Sequence, residues 1–281
     1  MGMSDAIESL LQTAIDLTSG VTNDTSMLTQ NLDTFLPELY QYSVTIMNTV
    51  MKPVAYSFLG FFCLIELKKV AEKMESSGGG SSLSSVKLLG LMGMKLGICM
   101  LVMSQLSLFL RGIMQVGIYL TTQISDLVST GKGQSLVDIS KLMGGIDDLG
   151  FWEGVGIYML ILIVALAALL ANVIARVMIV MRFFELYILF ALSPLPISTL
   201  PNEEWSQVGK NFFKKFVAAA LQGVILFMVL SFFPILVSSG LQLDIADKLM
   251  SSIGLLLGYS VALVLCIIKA GQWAKSITTA T

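Results

Sequence analysis

Histidine is absent from all 281 residues. Its absence removes the side chain most used in catalytic triads, in zinc and haem ligation and in proton shuttling near neutral pH. Charge is scarce as well: Asp, Glu, Lys and Arg make up 13% of the chain, against about 25% in soluble domains. With roughly half the usual charged surface missing, a water-soluble enzyme is excluded. The three cysteines, Cys63, Cys99 and Cys266, each sit inside an apolar run. None has a partner at a metal-like spacing, so they read as small buried hydrophobes. Seventeen Lys and Arg against nineteen Asp and Glu give a net charge of -2, without the polybasic stripe of a nucleic-acid binder. No catalytic residue, cofactor site or metal ligand set is expected.

What the chain does have is apolar length, with 55% hydrophobic residues and a mean hydropathy of +0.82. A helix needs about 20 apolar residues to cross roughly 30 Å of hydrocarbon, where only internal hydrogen bonds satisfy the backbone. Residues 50–67, 88–110, 155–175 and 216–237 pass that test, and 253–268 is shorter but uninterrupted. The expected fold is therefore all-α: a polytopic membrane protein of about five transmembrane helices. A further apolar stretch, 183–200, reads either as another span or as the continuation of a long helix.

Basic residues accumulate in short cytoplasmic loops, and their positions choose between these readings. Five spans with the N-terminus outside and the C-terminus inside place Lys68, Lys69, Lys73, Lys87, Arg182, Lys210, Lys214, Lys215, Lys269 and Lys275 within. Only Arg111, Lys132, Lys141 and Lys248 remain outside. A sixth crossing at 183–200 would leave eight bases outside and six inside, so five spans fit better. A continuous helix over residues 155–192 would then be about 57 Å long and overshoot the bilayer by roughly 25 Å. That overshoot, FFELYILFAL, needs cover from the interface, a neighbouring helix or another copy of the chain. A break near Arg182 is the alternative.

Four regions follow. Residues 1–49 are exported and carry amphipathic helices; Ile7, Leu10, Leu11, Ala14 and Ile15 recur with a helical period. Residues 50–111 hold the first two spans, joined by a Gly/Ser linker at 76–85. Residues 112–153 form an outer loop of one or two amphipathic helices. Residues 154–281 hold the long third helix, an SPLP loop and the last two spans.

Small residues four apart let helices approach closely. Gly93 and Gly97, then Ala167, Ala171 and Ala175, then Ala219 and Gly223, then Gly254 and Gly258 are candidate seams, within one bundle or between subunits. Ionisable groups in lipid usually face protein or water, which singles out Lys95, Arg176, Arg182 and Glu185. Lys95 lies about 12 Å beyond Lys87 by helical rise; it snorkels inward, to Glu66 for example, or lines a lumen. Arg182 and Glu185 form an i,i+3 pair. Ser193, Pro194 and Pro196 end the long helix, and Asn202 with Glu203 and Glu204 suits the start of the next. Trp205 with Lys210, Lys214 and Lys215 then reads as an anchor at the inner headgroup level.

The Arg182-Phe-Phe-Glu185 to Ser193-Pro194 stretch, Trp205, Gly209-Lys210-Asn211-Phe212 and the Ala-rich span with Gln222 and Gly223 resemble the TrbL and VirB-six family of type IV secretion and conjugation machines. The resemblance covers residues 150–270, and the rest by topology alone. It implies a homo-oligomeric scaffold in the bacterial cytoplasmic (inner) membrane. The implied partners are cytoplasmic ATPases, pilus or stalk components, membrane lipids and, transiently, transported DNA or protein. No catalytic residue carries over, and this chain lacks the family's large outer domain. A small-solute channel or secondary transporter is the competing reading, with Lys95, Asn172 and Gln222 as its pore-lining candidates.

Overall fold

A computed structural model of the chain describes residues 24–76, 82–130, 151–244 and 249–279, together with Ser9 and Thr13. The amphipathic helix expected at 4–17 otherwise lies outside the described residues, as do 77–81 and 131–150. Among the described residues all regular structure is helical. After a 3-10 turn, Asp24–Thr29, come α1 (Leu32–Phe35), α2 (Pro37–Ile46), a π segment (Met47–Met51) and α3 (Lys52–Ser76). Then follow α4 (Ser82–Ser104), α5 (Leu106–Thr130), α6 (Phe151–Leu192), α7 (Pro194–Ser198), α8 (Ser206–Asp244) and α9 (Leu249–Thr278).

Four helical stretches are long and apolar enough to cross a membrane: Pro37–Glu75, Val155–Leu192, Ser206–Phe233 and Leu257–Thr278. A fifth is bent by 69° between Leu89–Ser104 and Leu106–Val128. The straight span expected at 88–110 is thus broken at Gln105, after which helix continues to Thr130 through residues expected to open the outer loop. Ser104 donates its hydroxyl to Leu101 O at 2.8 Å, and Leu108 N–H turns back to Gln105 O at 3.0 Å. Such local bonds compete with the helical ladder and bend it. Helix also enters the expected Gly/Ser linker from both sides, since α3 ends at Ser76 and α4 starts at Ser82.

The chain packs as two compact units, one formed by residues 31–116, 183–220 and 275–281 and the other by residues 1–30, 117–182 and 221–274. In the first, residues 183–205 run alongside residues 35–69 in the same direction. Phe35 stacks on Phe183 at 3.9 Å between centroids, and Tyr40 lies 5.7 Å from Phe190. Tyr187 donates its hydroxyl to Leu32 O at 2.7 Å, and Ser193 meets Met47 Sδ at 3.8 Å. Arg111 donates to the Tyr40 hydroxyl and lies over its ring. Helix α6 is unbroken at Arg182, so the FFELYILFAL stretch is a true extension. Its Phe183, Leu186, Tyr187 and Phe190 are buried because buried aromatic edges and a buried phenol find partners in the N-terminal segment. The chain itself therefore covers one face of the extension, level with residues 32–40. Phe184, Ile188 and Leu192 stay exposed on the other face.

In the second unit α6 buries Ile157, Ile161, Val164, Ala168, Ala171, Ala175 and Ile179. These positions step by three and four residues, a coiled-coil type of seam. Met159, Ile163, Leu166, Leu170, Val173 and Val177 alternate with them on an exposed stripe, as expected of a helix facing lipid or another subunit. Helix α8 carries Lys210, Lys214 and Lys215 in its first three turns and, apart from Gln222 and Ser231, is apolar from Phe216 to Phe233. Within Ser206–Phe233 the most apolar stretch is 61% buried, against 22–28% for the other unbent spans, so α8 is the most enclosed of them.

Candidate functional site

The local sequence ALSPLPISTLPNEEW turns the chain sharply between two long helices. Proline at the first position of α7 has no N–H to lose there and stops α6. Hydroxyls then satisfy carbonyls that helix would otherwise use: Ser193 donates to Phe190 O, Ser198 to Leu195 O and Thr199 to Pro196 O, each at 2.7 Å. Gly209 lets the first turns of α8 lie directly on this loop. A Cβ there would come within 2.6 Å of Leu200 and 2.8 Å of the Pro196 carbonyl.

Three successive loop residues then reach two different helices. Asn202 is fully buried. Its Oδ1 accepts from the N–H groups of Glu204 at 3.0 Å and Trp205 at 3.1 Å, which caps the approach to α8. Its Nδ2 donates to Glu66 Oε2 of α3 at 3.4 Å. Glu203 accepts from Lys95 Nζ of α4 at 3.3 Å, and Glu204 from Lys69 Nζ of α3 at 2.7 Å. Trp205 packs on Phe62, with centroids 6.0 Å apart. The loop is therefore a clamp across α3 and α4. Its exposed ion pairs are individually weak because solvent screens them, whereas the buried asparagine joins both backbone and carboxylate.

The clamp stands over a cleft of about 550 Å³ whose lining includes Glu66, Lys69, Lys73, Lys95 and Glu203, with Val70, Leu91 and Met92 as its apolar part. A second, apolar groove of about 340 Å³ runs past Phe58, Phe62, Leu195, Pro196, Trp205 and Val208. The cleft sets lysine ammonium groups beside carboxylates, so it offers both donors and acceptors to a charged group.

The sequence-derived candidates distribute unevenly. Lys95 joins the clamp, pairing with Glu203 rather than Glu66. Ser193 and Pro194 are buried in it, Pro196 is half-buried, and Trp205 is exposed but packed on Phe62. Lys210 and Lys215 are exposed and Lys214 half-buried; none lines the cleft. Glu185 is exposed, while in the second unit Arg182 is buried and Arg176 exposed. Arg182 lies with its guanidinium over Gly223 of α8, in the space a side chain would take. Ala171 and Ala175 are buried and Ala167 half-buried, whereas Gly93, Gly97, Gly254 and Gly258 are exposed, and a Cβ on any of the four glycines would meet nothing within 4 Å. Sequence reasoning assigned Asn202, Glu203 and Glu204 only to a helix start and gave Glu66 only as an example partner for Lys95. The signal for more was there: two acids set amid lysines invite cross-helix pairing.

Among known proteins, a family model described as TrbL/VirB6 plasmid conjugal transfer like protein matches residues 17–194. The match takes in the Arg182 to Pro194 stretch and ends there, short of Trp205, Gly209 and Gly223. Its weight lies further toward the N-terminus than the resemblance read from residues 150–270. No curated protein and no solved structure matches.

Proposed function

The chain belongs to the TrbL/VirB6-like family of plasmid conjugal transfer proteins, and on that footing we propose that it is an oligomeric scaffold or channel element of a type IV secretion apparatus. As a family member it is a membrane component of a conjugal transfer machine. The finer reading places it in the cytoplasmic membrane of a bacterium, N-terminus outside and C-terminus inside. Other secretion subunits contact it, including cytoplasmic ATPases and pilus or stalk components. DNA or protein substrate touches it only in passing.

The observation that carries the oligomer is the small-residue face of α4. Gly93 and Gly97 lie one turn apart on an exposed surface where an added Cβ meets nothing of this chain. Glycine at that spacing costs helix stability of about 1 kcal/mol per residue, which close approach of another helix offsets. Replacing both with leucine is expected to shift the protein to a smaller species in mild detergent and to abolish conjugative transfer, with helix content unchanged. Unaltered migration and transfer would remove this face as a subunit seam.

The clamp supports the orientation. It gathers Lys69, toward the C-terminal end of α3, with Lys95 of α4, and Lys68, Lys73 and Lys87 lie near them in the sequence. Phe183 stacks level with Phe35, so Arg182 leaves the inner group. By the same register it counts with the outer bases, which leaves nine inside against five outside. Ser206→Cys should resist an impermeant thiol reagent in intact cells while Ser239→Cys reacts; a labelled Ser206 position would sink the five-crossing arrangement. Nothing comparable favours a small-solute channel: Lys95 is ion-paired, Asn172 is buried, and Gln222 packs against Gly271.

A further inference from the structure

Glu66 is out of place by ordinary solvation rules. It is buried, with a relative exposure of 8%, and Lys69 is a nearby positive charge, yet among the described residues its carboxylate accepts only a long hydrogen bond, 3.4 Å from Asn202 Nδ2. A carboxylate offers about four acceptor positions, and a buried one held so loosely is costly unless something else donates to it. Glu66 lines the 550 Å³ cleft, a size within the usual range for small-ligand sites. Lys69, Lys73 and Lys95 line the same cleft. Lys69 and Lys95 are each bonded to a solvent-exposed glutamate and, with three donors per ammonium, keep capacity for an anion. The cleft thus presents an acceptor for a cation within reach of donors for an anion. The apolar groove lies along the same helix. Phe62 and Phe58 are seven and eleven residues before Lys69, or roughly 10 and 16 Å by helical rise.

From this geometry we infer that the clamp holds one phospholipid with a primary-amine headgroup, phosphatidylethanolamine by chemical class. Its ammonium donates to Glu66, its phosphate accepts from the cleft lysines, and one acyl chain lies in the groove past Phe62 and Phe58. A quaternary choline headgroup has the charge but no N–H to give Glu66. A glycerol headgroup has no cation to offset the carboxylates of Glu66, Glu72 and Glu203, which line the cleft. The inference goes beyond the secretion role and does not depend on membrane orientation, because the test is made in detergent.

The full chain, purified in mild detergent, is incubated in turn with phosphatidylethanolamine, phosphatidylcholine and phosphatidylglycerol of identical acyl chains, and retained lipid is read by native mass spectrometry. Phosphatidylethanolamine should be retained about tenfold or more above the other two, the usual worth of a charge-assisted bond. Glu66→Gln should erase that preference. Phe58→Ala should weaken retention of all three while preserving their order. Equal retention of the ethanolamine and choline lipids by the unaltered protein overturns the inference, even if Glu66→Gln fails to fold. So does a preference for phosphatidylglycerol, or one that survives Glu66→Gln. A failed scaffold role would leave all of these readings unchanged.

Discussion

Gly223→Ala should destabilise the protein by about 3 kcal/mol, although it adds one methyl group. The new Cβ would fall on the Cζ, Nη1 and Nη2 atoms of Arg182, whose side chain is almost wholly enclosed, with a relative exposure of 3%. A flexible side chain at a surface would swing aside. Here the displaced group is a planar cation in an apolar interior, so overpacking, usually worth about 1–3 kcal/mol, adds to the disturbance of a buried charge. Thermal melting of the detergent-purified protein measures the loss. Arg182→Met should restore much of it in the double variant, because residues in contact couple non-additively. Strictly additive effects would show that the two positions do not compete for the same space. Alanine at Gly93 or Gly97, facing open space in the single chain, provides the contrast: either should leave melting of the isolated protein unchanged or slightly raised, since alanine is the better helix former.

Asn202→Ala should cost about 2–4 kcal/mol and loosen the clamp. Two effects combine. Losing the side-chain acceptor for the Glu204 and Trp205 N–H groups is a lost cap, about 0.5–2 kcal/mol. Losing the Nδ2 donor leaves the buried Glu66 carboxylate without its asparagine partner, a further 1–3 kcal/mol or so. Asn202→Asp separates the two contributions. It keeps an acceptor for the cap but replaces the donor with a second negative charge beside Glu66. It should therefore melt no higher than Asn202→Ala while preserving the start of α8. Limited proteolysis of the 199–205 loop is the direct readout: both variants should be cleaved faster than the parent. A loop that resists cleavage in the alanine variant would mean that the ion pairs from Lys69 and Lys95 hold it without the asparagine.

The clamp and the buried arginine differ in how far sequence could foresee them. Prolines 194 and 196, the hydroxyls around them and the Asn-Glu-Glu run are local signals, and local hydrogen-bond chemistry dictates a turn and a helix start there wherever the chain sits. Which helices the two glutamates would meet is a matter of residues 108 and 135 positions away, and no local rule supplies that. The Arg182 case is sharper. Its i,i+3 relation to Glu185 suggested a surface pair, but the α6 seam passes through position 182 and turns the guanidinium inward, onto a glycine that read as one more small residue in a packing face.

The extension after Arg182 shows the same division. Its apolar composition demanded cover, and composition alone established that demand. The cover turned out to be Phe35, Tyr40 and Leu32, which lie outside the apolar runs read from the sequence, the first of them beginning at residue 50.

Helical class and the apolar stretches were settled by the order of residues, because the need to satisfy every backbone group in lipid is a local constraint that acts on each stretch separately. Tertiary structure decided which faces meet: the bend at Gln105, the burial of Arg182 against Gly223, and the gathering of Glu66, Lys69, Lys95 and Asn202 into one clamp. Between apolar helices in an apolar solvent the choice of partner rests on small gaps and single polar contacts, and these exist only once distant parts of the chain have come together.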